Sequence, residues 1–271
     1  MLIDTHAHLY WDSFKEDFDQ VIKRSIKAGV TTIINSGVDI KLSQAAVELE
    51  SEKIKFYSTI GIHPHDSVNY FSNSTESIHR DIERLKQIYQ NNSAKVVAVG
   101  ECGLDYLFDH AGLLPSPISK NQAKKLQRQL FQAQIDLAKK LKLPLIVHCR
   151  EAWDEVLGMT KDWYGVYHCY SGLPHNTKYI IHNTNFLVSF AANITYPKNE
   201  YLRQAAKTLP LEKIILETDS PFLSPQSKRG QRNEPANVLE VAQLVADIKG
   251  VSLEEVAHQT SKNVKILFNL R

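Results

Sequence analysis

The chain has 271 residues, of which 43% are hydrophobic and 23% charged, and its formal net charge is +2. This composition is ordinary for a globular protein that buries a sizeable core, and the small net charge neither requires nor excludes nucleic acid, because phosphate binding needs only a local basic patch. Three cysteines, without a Cys-x-x-Cys pair, argue against a disulfide framework or a structural zinc site.

The sequence has no run of eighteen apolar residues, and its start has no basic segment followed by an apolar stretch. We therefore expect no association with membranes and a cytoplasmic location. A monomer is favoured.

Short apolar runs alternate with amphipathic segments along the whole chain. Strands are predicted at residues 2–5, 31–35, 56–60, 95–99, 144–147, 164–167, 186–190 and 213–216. Helices are predicted at residues 14–28, 40–52, 120–141, 151–161, 198–208, 236–249 and 253–268, with others starting near residues 74 and 174. Eight strand–helix units without an interruption predict one domain over residues 1–271, a (β/α)8 TIM barrel with extra C-terminal helices.

The first strand ends in Asp4-Thr5-His6-Ala7-His8. Because side chains alternate along a strand, Asp4, His6 and His8 should share one side, which brings two imidazoles together. Such a pair suits zinc or manganese, with further carboxylates to balance the charge.

Other residues that bind metals follow the later strands at matching positions. In a TIM barrel these strand ends meet at one face, where the active site lies. The alternative, a buried histidine bonded within the core, would have to hold separately at each position. The residues concerned are His63 and His65 after the third strand, Glu101 after the fourth, His148, His168, and Asp219 after the eighth.

Cys102, Cys149 and Cys169 each directly follow one of these candidates. Strand alternation predicts that the three thiols turn away from the barrel mouth and pack as small hydrophobic groups.

The motifs together resemble the TatD family of metal-dependent deoxyribonucleases, which belongs to the amidohydrolase-like barrels. The resemblance rests on segments in the same order along nearly the whole chain: residues 4–8, Gly61-Ile62-His63-Pro64-His65, Gly100-Glu101-Cys102-Gly103-Leu104-Asp105-Tyr106, Val147-His148-Cys149-Arg150, His168-Cys169-Tyr170-Ser171-Gly172 and Glu217-Thr218-Asp219-Ser220-Pro221. It implies two divalent ions (Mg²⁺, Mn²⁺ or Zn²⁺) that share Glu101. His6, His8 and Asp219 would complete one site, and His148 and His168 the other.

The resemblance also implies hydrolysis of phosphodiester bonds in DNA, which we expect to be 3′-to-5′ exonuclease activity on single strands or 3′ ends. Asp219 would accept the proton of the attacking water, and Glu101 would bridge the ions. Metal-dependent hydrolysis of an ester or amide, such as a D-aminoacyl-tRNA, is the alternative. A binding protein on an inactive barrel fits poorly, because every expected ligand is present.

Several residues are candidates for contacts with the substrate. His63, Arg150, Arg229 and Arg232 are predicted to bind phosphate, although the arginines could also belong to a solvated charged loop. Tyr10, Trp11, Tyr106 and Phe222 could stack on bases or simply wall the cavity. Two segments depart from the family pattern, the long loop 107–119 and residues 189–193, which have alanine and asparagine where glycine is usual.

Overall fold

Eight strands pair in sequential order into one parallel sheet in the computed structural model, which describes residues 1–72, 74–108, 114 and 116–270. After β8 the backbone bonds to the end of β1, since Asp219 N donates to the His6 carbonyl (2.9 Å) and His8 N to that of Ser220 (2.8 Å). The predicted (β/α)8 barrel is confirmed. The strands are β1 (Leu2–Ala7), β2 (Val30–Asn35), β3 (Lys55–Ile60), β4 (Val96–Asp105), β5 (Leu145–Arg150), β6 (Tyr164–Tyr167), β7 (Asn185–Phe190) and β8 (Ile214–Leu216).

Helices connect consecutive strands, and two more follow β8. They are α1 (Phe18–Lys27), α2 (Ile40–Glu48), α3 (Ser74–Asn91), α4 (Lys120–Leu141), α5 (Trp153–Thr160), α6 (Pro174–Asn183), α7 (Glu200–Thr208), α8 (Val238–Lys249) and α9 (Leu253–Leu267). Helix α4 has the predicted bounds. Helix α1 begins later than predicted, because Asp12–Phe14 forms a separate 3₁₀ turn that buries the Phe14 ring. Within the described residues, none of the helices has the length and apolar character that crossing a membrane requires.

Helix α9 covers the amino-terminal end of the barrel. An apolar cluster inside the barrel contains buried residues of seven strands together with Val264 of α9 and Phe268, which directly follows α9. The Asn263 side chain fixes the helix there by donating to the carbonyls of Leu211 and Ile214, both at 2.8 Å. The opposite end, where the strands finish, is thus left for polar residues.

Strand β4 is longer than the sequence predicted, because it continues beyond residue 99 to Asp105. Two glycines allow the strand to continue. Gly100 and Gly103 have φ values of 149° and 142°, which residues with a side chain rarely adopt. A Cβ at Gly103 would lie only 2.0 Å from the carbonyl oxygen of His148 on β5. The close approach places both Glu101 and Asp105 on one strand.

Asp4 locks β1 to the segment after β8. Its fully buried carboxyl group accepts from Thr218 N at 2.9 Å and from Thr218 Oγ1 at 2.6 Å. Burial raises the pKa of Asp4 to about 8, against the opposing effect of the bonds from Thr218. Since Thr218 directly precedes Asp219, this bond also sets where the last predicted ligand leaves the barrel.

We expect Asp4→Ala to destabilise the protein by about 1 to 3 kcal/mol, because it leaves the buried amide of Thr218 unpaired, while the Thr218 hydroxyl keeps its bonds to Ser220. Asp4→Asn should cost much less, since an amide has the same shape and still offers an oxygen to Thr218 N. Thermal and urea unfolding of the two variants would test this. Equal losses of stability would show that the bond to Thr218 does not close the barrel.

Candidate metal centre

Six predicted ligands converge on one point at the carboxyl ends of the strands. Glu101 lies at the centre and is 4% exposed. Each of its two carboxylate oxygens faces a separate group of donor atoms. The six are His6, His8, Glu101, His148, His168 and Asp219.

The first group surrounds Glu101 Oε2. The Nε2 atom of His6 lies 3.2 Å from this oxygen, and Nε2 of His8 lies 4.0 Å from it. The two ring nitrogens are themselves only 3.2 Å apart. Asp219 Oδ1 completes the group at 3.4 Å from His8 Nε2 and 3.8 Å from His6 Nε2.

The second group surrounds Glu101 Oε1. His148 approaches through Nδ1 at 3.0 Å, and His168 approaches through Nε2 at 3.1 Å. His63 Nε2 also lies here, at 3.4 Å. The sequence had placed His63 with the substrate, whereas the structure brings it among the predicted ligands.

These spacings fit divalent cations. Donor atoms that share one cation at about 2.0 to 2.2 Å lie about 3.0 to 3.6 Å apart around it. Four of the five imidazole nitrogens beside Glu101 lie 3.0 to 3.4 Å from its oxygens, and the fifth, that of His8, lies at 4.0 Å. Imidazole nitrogens together with carboxylate oxygens suit zinc, manganese or iron. The residues present can therefore hold cations on both sides of Glu101.

A buried carboxylate orients two histidines of the second group, His148 and His168. Asp105, which is 1% exposed, accepts at Oδ2 from His148 Nε2 at 3.0 Å. Glu217 Oε1 lies 3.0 Å from His168 Nδ1 and also accepts from the Cys169 amide at 2.7 Å. Carboxylates in this position fix the ring and increase its basicity as a ligand.

Asp105 is itself held firmly. The Gln127 side chain bonds to both the backbone N–H and the carbonyl of Asp105, at 2.9 and 2.8 Å. Asp105 Oδ1 accepts from Leu107 N at 3.0 Å, and its Oδ2 lies 3.0 Å from His65 Nε2. The carboxylate thus has little freedom to turn away from His148.

The charges in the centre are strongly coupled. Burial alone would raise the pKa of Glu101, but the charges of His168 and His63 hold it well below its ordinary value. Burial lowers the pKa of His63 to about 4, although Glu101 opposes this shift. The pKa of His148 rises to about 9 despite burial, because Asp105 and Glu101 accept hydrogen bonds from its ring. Cations that bind His148 must displace this proton, so their affinity should fall in acid.

A cavity of about 720 Å³ opens above the ligands. Its wall includes side chains that could meet a large anionic substrate. Arg150 lies in the wall, as the sequence predicted, and Lys198 adds a second cation that the sequence reasoning missed. The remaining wall includes Trp11, Asp66, Asn193, Tyr196 and Phe222.

The two arginines after β8 differ in position. The Arg229 guanidinium lies 4.3 Å above the ring of Tyr196, which lines the cavity. Arg232 instead pairs with Asp17 at 2.8 Å and with Glu234 at 3.0 Å, and does not line the cavity. Its guanidinium is engaged in joining the loop after β8 to the start of α1. The structure therefore does not bring Arg232 to the predicted phosphate site.

The prediction for the cysteines is only partly confirmed. Cys102 and Cys149 are buried in the hydrophobic core, although Cys149 also borders the cavity, whereas Cys169 is only partly buried and lines the cavity. The chain after β6 turns sharply at Cys169, where φ is 44°, so strand alternation no longer applies. Burial raises the pKa of all three thiols, which opposes formation of a thiolate nucleophile.

The barrel and its cluster of histidines and carboxylates define the chain as a metal-dependent hydrolase. Residues 3–269 match the model of the family described as TatD related DNase. The chain therefore belongs to this family.

Relatives along the whole chain agree with this assignment. The chain is 34% identical over 275 residues to the uncharacterized metal-dependent hydrolase YabD of Bacillus subtilis, with 100% of both chains covered. It is 30% identical over 280 residues to the 3′-5′ ssDNA/RNA exonuclease TatD of Erwinia tasmaniensis, covering 99% of this chain and 100% of that one. The crystal structure of the TatD homologue YJJV from Escherichia coli K12 superposes with a TM-score of 0.84 at 26% identity, covering 100% and 98% of the two chains.

We expect Glu101→Gln to lower metal affinity at least about tenfold, because the neutral amide removes the charge that both groups of donors share. Elemental analysis after dialysis against a metal buffer would measure the bound ions. Glu212→Gln, which neutralises an exposed carboxylate below the barrel, is the matched control. Equal metal content in both variants would contradict a bridging role.

Asp105→Asn should reduce metal affinity about 10- to 100-fold, because the ring of His148 loses its anionic partner. Competition with a fluorescent chelator would measure the affinity without any need for catalysis. Asp136→Asn, on the outer face of α4, should leave the affinity unchanged. If Asp105→Asn also left it unchanged, Asp105 would have no part in orienting His148.

Proposed function

We propose that this hydrolase cleaves phosphodiester bonds of DNA, as a 3′-to-5′ exonuclease on single strands or 3′ ends, with two divalent ions per chain. The carrying observation is that each oxygen of Glu101 faces its own group of imidazoles, at 3.0 to 4.0 Å. Two ions about 3.5 to 4 Å apart can lower the pKa of a bound water and stabilise the attacking and leaving oxygens at phosphorus. We also propose that residues 1–271 act as one domain, since the ligands come from β1 through to the segment after β8.

The proposed ligand sets follow the two groups of donors. His6, His8 and Asp219 would hold one ion together with Glu101, and His148 and His168 would hold the other. His63 has its Nε2 on the side of the second ion, 3.4 Å from Glu101 Oε1. Its lowered pKa keeps the imidazole neutral at physiological pH. It can then donate one hydrogen bond to a phosphate oxygen that binds there.

Asp219 is the proposed acceptor of the proton from water. Its side chain is 15% exposed, more than the 6% of the Glu101 side chain, and it lines the cavity. Burial would raise the pKa of Asp219, but its hydrogen bond with His8 and the charge of His168 hold the pKa below its ordinary value. The carboxylate is therefore ionised at neutral pH, which is the form that a proton acceptor must have.

Cations at the cavity support a substrate with several phosphates. Arg150 and Lys198 lie in the wall, and Arg229 covers Tyr196 beside them. We propose that Arg150 and Arg229 bind backbone phosphates, whereas Arg232 stays paired with Asp17 and Glu234. The predicted cytoplasmic location and monomeric state stay predictions.

Asp219→Asn should lower turnover about 10²- to 10⁴-fold, the usual contribution of a general base. Single-stranded DNA labelled at its 5′ end and a charged D-aminoacyl-tRNA should be compared in parallel. Removal of nucleotides one by one from the 3′ end would support the proposal. Deacylation of the tRNA without any cleavage of DNA would move the assignment to an ester hydrolase.

Arg229→Ala should weaken binding of single-stranded DNA and flatten the plot of log K against log salt by about 0.7 for each lost phosphate contact. Binding is measured by anisotropy in the Asp219→Asn background, so that the strand is not degraded. Arg80→Ala, on the surface of α3, serves as the control for charge. Identical slopes for the two variants would exclude Arg229 from the DNA path.

A further inference from the structure

We infer that Trp11 and Phe222 form a stacking site for a nucleobase of a nucleotide beside the scissile phosphate. This inference rests on the proposed function and defines what the substrate must offer beyond a phosphate. The two rings lie edge to face, with centroids 5.4 Å apart and planes at 86°. We call this pair the aromatic corner.

Both rings face solvent although they are large and apolar. Trp11 is 39% exposed and Phe222 is 45% exposed. Among the large hydrophobic side chains exposed in the described part of the chain, these two are the ones that line the cavity. Exposed aromatic faces beside a charged cavity are the surfaces on which single-stranded nucleic acids stack their bases.

The backbone ties each ring to a proposed ligand of the same ion. Trp11 comes three residues after His8, and its amide donates to the His8 carbonyl at 3.2 Å. Phe222 comes three residues after Asp219, and its amide donates to the Asp219 carbonyl at 2.9 Å. His8 and Asp219 are in contact at 3.4 Å. Two separate tight turns thus place the two rings side by side.

The position of the corner is also rigid. The buried Asn233 side chain donates to the carbonyls of Phe222 and Thr218, at 2.7 and 2.8 Å. On the other side, Phe14 N donates to the Trp11 carbonyl at 2.9 Å. The main chain under both rings is therefore fixed, so little conformational entropy is lost when a base stacks there.

Distance places the base next to the reaction. The centroid of Phe222 lies 6.1 Å from that of His8. Base and phosphate of one nucleotide are separated by a similar length, so a base in the corner belongs to a nucleotide that flanks the bond being cleaved. In a duplex this base would be paired and stacked on its neighbours. The corner therefore favours a single strand or a frayed 3′ end.

The test compares base-containing and abasic substrates. One oligodeoxynucleotide is unmodified, and two others carry a tetrahydrofuran abasic residue at the terminal or the penultimate 3′ position. The wild-type protein should prefer the unmodified strand over at least one abasic strand by about 5- to 150-fold in kcat/KM, the range that stacking of one base spans. Anisotropy in the Asp219→Asn background gives the matching difference in Kd without turnover.

The variants decide whether the corner causes this preference. In Trp11→Leu/Phe222→Leu the preference for the base should disappear, with the rate on the abasic strand unchanged. Trp11→Phe/Phe222→Tyr keeps two rings and should keep most of the preference. Tyr179→Leu, which removes a ring that is 41% exposed on α6, should behave as wild type.

Two results would overturn the inference without touching the proposed function. One is a wild-type protein that cleaves base-containing and abasic strands equally well. The other is a leucine variant that loses activity on both strands to the same degree, which would mean that the rings only wall the metal centre. A wild-type protein that neither binds nor cleaves any strand would instead overturn the proposed function, and the aromatic corner as a base site with it.

Discussion

The arrangement of the active end depends on the buried carboxylate of Glu101. An isolated charge at 4% exposure would be strongly destabilising. Imidazole nitrogens surround both oxygens at 3.0 to 4.0 Å, and their charges hold the pKa of this group low. Two of these histidines, His148 and His168, are in turn fixed by Asp105 and Glu217, which are two more buried carboxylates. Cations on both sides of Glu101 would balance the charge of these carboxylates, and their binding would then add to the stability of the fold.

Much of this centre could be predicted from the sequence, because in a parallel barrel the order of the strands along the chain determines their positions around the barrel. Each strand ends at the same face, so a predicted ligand such as His148 needs only to be the residue at which an apolar run stops. The period of the strands and helices sets the eight units, and Gly29 marks the end of the first helix. These steps require no knowledge of side-chain packing, so the barrel could be predicted from the sequence alone.

The residues that were missed or misplaced depend on tertiary partners. Asp105 lay beyond the predicted end of β4. Glycines usually interrupt a strand, but in this protein they let β4 continue close beside β5. Nothing in the sequence distinguished Arg232 from Arg229. In the structure, Arg232 forms a salt bridge with Asp17, which is distant along the chain, and this salt bridge holds Arg232 outside the cavity. Cys169 was assigned by alternation, which fails where the backbone leaves the strand at positive φ.

One end of the barrel contributes mainly to stability, and the other end carries the residues for chemistry. At the amino-terminal end, Val264 of α9 and the following Phe268 pack against the apolar interior, and this burial needs no polar compensation. At the other end buried polar groups bond to one another, and removal of one leaves a partner unpaired, as loss of Asp4 would leave the Thr218 amide. Substitutions in α9 should therefore act on stability alone, whereas those at the strand ends change stability and metal affinity together. The aromatic corner differs from both ends, because its rings are exposed and only its backbone is held by hydrogen bonds. Substitutions of these rings can therefore change which substrate is accepted without disturbing the metal centre beneath them.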